Sequence, residues 1–139
     1  MKIDFSAIED VESYVSVPEG TYLCRIAEVR EGLTREGHPR WAFRLEVDGG
    51  DHAGRTAAWD ALILSPRGLP RAKTVLARMG FDVSGPLSIE SNDLLQRRVR
   101  AELQREEHEH PDTGRRLSRL IVPYMGYQPL EDVEDHDPF

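Results

Sequence analysis

The residues with the sharpest chemistry lie at 131–139, Glu131-Asp132-Val133-Glu134-Asp135-His136-Asp137-Pro138-Phe139. An aromatic ring joined to a free α-carboxylate is a compact recognition unit. The ring fills an apolar pocket, and the carboxylate pairs with Arg or Lys at the pocket rim. The acids upstream add screened attraction toward a basic surface. The alternative is a solvated acidic tail that happens to end in Phe.

A second set is cationic and aromatic. Sixteen of the 18 basic residues are Arg, whose planar guanidinium suits phosphate forks and base stacking better than an ammonium does. Arg25, Arg44, Arg98 and Arg100 fall on the polar faces of predicted strands. Arg35, Arg40 and Arg55 fall in or beside predicted loops. For each Arg a merely solvated face is an equal reading. Trp41 and Phe43 share a face with Leu45 and Val47 and are expected in the core. The strand carrying Trp59 is apolar on both sides, so stacking and packing both stay open for it. Tyr124 and Tyr127 are placed at the edge of a groove.

Other chemistry finds less support. His108, His110 and Asp112 sit before a turn, where a His-x-His pair on one strand face has metal-ligand spacing. No third His or Cys is near in sequence, so imidazoles in water at a hairpin tip are favoured. Cys24 alternates with Tyr22 and Ile26 and reads as an inert core thiol. The single cysteine excludes an intrachain disulfide and a cysteine zinc cluster. Ser65-Pro66-Arg67-Gly68 has too few glycines for a phosphate loop. There is no Gly-x-Ser-x-Gly, no Walker pattern and no acid pair for hydrolysis. No catalytic residue, cofactor or metal is expected.

The 139 residues fit one domain, and 39% apolar with 31% charged residues suits a globular chain. No apolar run has membrane-spanning length, and Met1-Lys2-Ile3-Asp4-Phe5 lacks the apolar core of a signal peptide, so a cytoplasmic location is expected. The net charge of −7 is unevenly placed: residues 1–20 sum to −4 and 128–139 to −5, which leaves +2 on 21–127. A mildly basic body with acidic ends differs from a uniformly acidic protein.

These residues need elements to position them. Residues 1–17 read as a loosely ordered lead-in or short helix. Pro18-Glu19-Gly20 is a turn signal, and Thr21 to Arg30 reads as a strand with Tyr22, Cys24 and Ile26 on one face. Trp41 to Asp48 alternates most cleanly, and Thr56 to Leu64 makes a third strand. Leu69, Ala72, Val75, Leu76 and Met79 form a helical stripe over 69–79, with Pro70 in its first turn and Gly80 as its left-handed cap. Ser91 to Leu95 is a short turn. Arg98 to Glu106 and Arg115 to Tyr124 are two more strands, joined by a Pro111-Asp112-Thr113-Gly114 turn. Three strands, a helix and two strands is the element order of an OB-fold, so the expected class is all-β with one helix, a five-stranded Greek-key barrel over 18–127. A disordered acidic tail is expected over 128–139.

The tip resembles that of the bacterial single-stranded DNA-binding proteins, a run of acids followed by an aliphatic residue and Pro-Phe. Asp135, Asp137, Pro138 and Phe139 match. Asp137 stands where that family prefers an aliphatic residue, and His136 stands among the acids. Residues 18–127 look like phage-associated proteins thought to bind single-stranded DNA beside recombination genes. That likeness rests on Pro18-Glu19-Gly20-Thr21-Tyr22, the Asp48-Gly49 turn, Gly54-Arg55 and Trp59-Asp60. A phage replication family with an OB-fold and an acidic tail ending in Phe is a looser comparison.

The resemblance implies binding of single-stranded DNA without strong sequence preference, and residue type and predicted position make Arg25, Arg35, Arg40, Arg44, Arg55, Trp59, Arg98, Arg100 and Tyr124 the candidate contacts. It implies that Asp135, Asp137, Pro138 and Phe139 recruit proteins of DNA replication, recombination or repair. Binders of this fold often multimerise, so a homo-oligomer belongs among the expected partners. A tail reaching at most ~40 Å from Gln128 is expected to work near the barrel and to compete with DNA. The rival reading is an adaptor that binds no DNA and only presents the tail. Acids neutralising the face of Arg44 and Arg98 would favour it. A metal-dependent enzyme using His108 and His110 is a third reading.

Overall fold

Strict two-residue alternation from Trp41 to Val47 dictates a strand with one dry face, and that strand organises the molecule. The computed structural model describes residues 11–13 and 17–130. Its elements are β1 (Val11–Ser13), β2 (Gly20–Leu33), β3 (Pro39–Val47), β4 (Thr56–Ile63), α1 (Leu69–Arg78), a 3-10 turn (Ser91–Leu94), β5 (Arg98–Glu109), β6 (Arg116–Ile121) and β7 (Tyr127–Gln128). The strands form one sheet in the order β1-β6-β5-β2-β3-β4, with β7 pairing β5. All pairings are antiparallel except the parallel β1–β6 pair, Val11 opposite Arg116.

The two longest strands each serve two neighbours, which curls the sheet. Gly20 to Arg25 of β2 pairs with β5, while Cys24 to Leu33 pairs with β3. Likewise β5 gives its first half to β2 and its second half, from Gln104, to β6. A bulge between Ile26 and Glu28 adds one residue to β2. Such an insertion bends a strand and increases its twist. The curl carries β4 toward β6, but among the described residues no hydrogen-bonded ladder joins them. The expected barrel is therefore an open sheet, and among the described residues it has seven strands rather than five.

The core lies inside the curl. Ile26, Phe43, Leu45, Leu62, Val99 and Leu103 are fully buried, and Trp41 joins them as its alternation predicts. Burying such a side chain contributes about 1.5–3 kcal/mol. Tyr127, placed by sequence at a groove edge, instead packs in this core beside Phe43.

The predicted helix is present as α1, burying Ala72, Val75 and Leu76. Its end makes the paired bonds of a left-handed cap, Phe81 N–H to Leu76 C=O and Gly80 N–H to Ala77 C=O, with Gly80 at φ 97°. Its start is fixed by close approach, because a Cβ on Gly68 would lie 2.2 Å from the carbonyl oxygen of Ile63. Leu94 of the 3-10 turn is also fully buried.

Two elements are not legible in the alternation, β1 and β7, because strands of three and two residues are too short to show a period. Residues 11–13, expected in a loose lead-in or helix, run as a strand along β6. The acidic 131–139 segment, with Asp135, Asp137, Pro138 and Phe139, lies outside the described residues. Among the described residues no helix is long and apolar enough to cross a membrane.

Candidate nucleic-acid interface

The outer face of β2, β3 and β4 carries the polar halves of the same alternations. Cross-strand register sets Arg25 opposite Glu46 and Glu28 opposite Arg44. The result is a chain of ion pairs. Arg25 donates to Glu46 at 2.6 Å and to the Gln96 side-chain oxygen at 2.8 Å. Arg44 reaches Glu46 at 3.3 Å, Glu28 at 3.4 Å and the Thr56 hydroxyl at 3.1 Å. Arg30 donates to Glu28 at 2.7 Å. The hydrogen bond from Arg30, aided by Arg44, holds the Glu28 carboxyl below the usual range. Arg98 is likewise tied to Asp48 at 2.7 Å. Each of these surface pairs adds only about 0–1 kcal/mol of stability, but together they compensate the charge of this face.

Alongside that ladder, with Trp59 the cross-strand partner of Arg44, a cleft of about 480 Å³ opens where β4 faces β6. Arg30, Arg40, Ala42, Trp59, Asp60 and Arg119 line it. Trp59 is 41% exposed, which resolves its two sequence readings in favour of the surface. The Arg30 guanidinium lies 4.8 Å from the Trp59 ring centroid and holds the indole by a cation–π contact. Arg40 is exposed and has no ion-pair partner among the described residues. Arg119 pairs with Glu106 at 3.0 Å and remains half-exposed.

Two acids, Glu31 and Asp60, also line the cleft, and the charge of Asp60 is compensated. Its carboxylate accepts from Arg71 at 2.7 Å, from the Tyr127 hydroxyl at 2.6 Å and from the Ala61 amide at 2.8 Å. Arg71 also donates to the Ala61 carbonyl at 3.0 Å. This network ties α1, β4 and β7 together at the floor of the cleft. Burial, and then the Asp60 charge, push the Tyr127 phenol well above its ordinary range, so it stays a donor. The arrangement offers an oriented indole face and guanidinium groups at its rim. Stacked bases and their phosphates require both kinds of group.

Of the sequence candidates, Arg40 and Trp59 are brought together here. Arg25 and Arg44 share Glu46, and Arg98 sits apart with Asp48. Arg100 lies on β5 between β2 and β7, with its Nε buried. Arg35 is exposed in the β2–β3 connection and Arg55 in the β3–β4 connection. Tyr124 is exposed, with Arg71 6.0 Å from its ring centroid. At the β5–β6 hairpin tip the His110 Nδ1 accepts from the Asp112 amide at 3.2 Å. Among the described residues no three His, Cys, Asp or Glu side chains gather to hold a metal.

Two cleft residues escape sequence reasoning. By simple alternation from Cys24 and Ile26, Arg30 points inward; the bulge after Ile26 turns it outward. Arg119 alternates outward between buried Ser118 and Leu120, but only the curl of the sheet brings it to β4. No protein-family model matches the chain, and no curated protein is significantly similar to it.

Proposed function

We propose that this protein binds single-stranded DNA in the cleft between β4 and β6, on an open barrel of OB type. The pairing order supports the fold reading. Leaving aside the short β1 and β7, β2 pairs with both β3 and β5, β4 pairs with β3, β6 pairs with β5, and the helix falls between β4 and β5. OB-folds bind oligonucleotides on the face of their second and third strands and between the adjoining loops. Those strands are β3 and β4 here.

The observation that carries the functional reading is the exposed Trp59 with Arg30 stacked on it and Arg40 lining the same cleft. Base–aromatic stacking contributes about 1–3 kcal/mol per base and tolerates any base. The contacts are thus Trp59, Arg30, Arg40 and Arg119, rather than the ladder of Arg25 and Arg44. The acidic 131–139 segment with its Pro138-Phe139 pair recruits proteins that process DNA.

A second reading has its own observation. Arg44 and Arg98 both meet acids, as expected of a β-rich adaptor that presents the 131–139 segment and binds no DNA. Fluorescence polarisation of labelled oligo-dT at two salt concentrations separates the two. DNA binding predicts a salt-sensitive isotherm that is weakened in Trp59→Ala. No binding at low salt leaves the adaptor.

A further inference from the structure

We propose that the 131–139 segment docks, within its own chain, in the apolar groove that α1 forms with the 81–90 stretch. That groove has a volume of about 650 Å³ and shares no lining residue with the cleft. Its walls include Trp41, Leu69, Leu76, Leu87 and Ile89, with Lys73 at the rim. Leu69 and Leu87 are 52% and 38% exposed. A groove of this size and lining suits an aromatic side chain held by a few polar contacts, and Pro138-Phe139 supplies the apolar group.

Charge selects this occupant. Residues 61–81 contain Arg67, Arg71, Lys73 and Arg78 and no acid, while 131–139 contains five acids and no Lys or Arg. The nearest acids in sequence are engaged, Asp60 with Arg71 of α1 and the next ones with their own loops. Asp82 accepts from the Ser84 hydroxyl at 2.7 Å, and Glu90 and Asp93 cap the 3-10 turn reciprocally. Arg71 is paired with Asp60, so an acidic segment meets Arg67, Lys73 and Arg78, which have no ion-pair partner among the described residues.

Reach is sufficient. Tyr127 is bonded to Asp60, which also holds Arg71 of α1, so the chain leaves the sheet beside the helix. Nine residues span at most ~30 Å, against a helix diameter of about 10–12 Å. Docked there, the segment lies away from the DNA cleft, and a partner must displace it from α1 to bind it.

The test places a nitroxide at position 134 of the full chain through Glu134→Cys and reads amide broadening by NMR. Cys24 is buried and its thiol is pushed up to about 12, so it does not compete for the label. The amides of Leu69, Lys73 and Leu87 are expected to broaden strongly, and those of Arg40 and Trp59 weakly. Lys73→Glu, at an exposed position, and Phe139→Ala are each expected to remove most of that broadening while the rest of the spectrum stays in place. Broadening centred on Trp59, or spread evenly, overturns the proposal. Equal broadening when labelled and isotope-enriched chains are mixed assigns the segment to a second copy and also overturns it.

Discussion

The cleft and the ion-pair ladder lie on one sheet face and draw on one residue type, yet they differ in what their arginines can still bind. In the ladder, Arg25 and Arg44 spend their donors on Glu28, Glu46, Gln96 and Thr56. In the cleft, Arg40 has no ion-pair partner among the described residues although Glu31 shares the lining, Arg30 lies on an indole while bonded to Glu28, and Asp60 is occupied by Arg71 and Tyr127. A count of outward arginines therefore overstates the cationic surface. Cross-strand register sets which of them meet acids, and a pre-paired guanidinium gains little by exchanging a carboxylate for a phosphate.

The largest expected effect breaks the comparison if it fails. Trp59→Ala is expected to weaken oligo-dT binding by about 1–3 kcal/mol, read by polarisation, while Arg44→Ala leaves affinity within twofold. The opposite ranking would move the site to the ladder.

Tyr127→Phe tests whether the cleft floor is set by the Asp60 network. Losing that hydrogen bond is expected to cost about 1–3 kcal/mol in chemical denaturation, since Asp60 is charged. The pH sign follows from the raised phenol. Its contribution is complete below its ordinary range near 10 and is lost as pH climbs through the higher folded value. The Cys24 thiol, raised to about 12 by burial and then by Asp48, acts in the same direction. Stability is therefore expected to fall in strong alkali, less steeply in Tyr127→Phe.

Arg40→Ala is expected to lower affinity severalfold and to flatten the plot of log K against log salt by about 0.7. A wild-type slope of about −0.7 corresponds to ~1 phosphate on single-stranded DNA, matching Arg40, since Arg30 and Arg119 already hold Glu28 and Glu106. The smallest effect sharpens the contrast. Glu46→Gln removes the carboxylate charge that Arg25 and Arg44 share, and oligo-dT affinity at low salt is expected to rise about twofold or threefold, each added phosphate contact being screened. No rise would show that the ladder lies outside the path of the strand.

Much of the sheet was legible because burial writes a period into a strand. Trp41, Phe43, Leu45 and Val47 announced their inward face, and Leu69 to Met79 with Gly80 announced the helix and its cap. The candidate cleft is less legible. The sequence offers Arg40 and Trp59 as candidates, but a one-residue bulge that reverses every later side chain in the strand hides Arg30. Arg119 was hidden because β6 and β4 are more than fifty residues apart in sequence.

Residue types and their alternation alone determined which side chains seek the core, where the helix stops, and that acidic ends flank a mildly basic middle. Tertiary structure alone decided which arginines are already paired, that Trp59 stands outside, and that the curled sheet stays open at the β4–β6 seam. The first set depends on local spacing and on transfer from water. The second depends on register and curvature, which bring together groups that are distant along the chain.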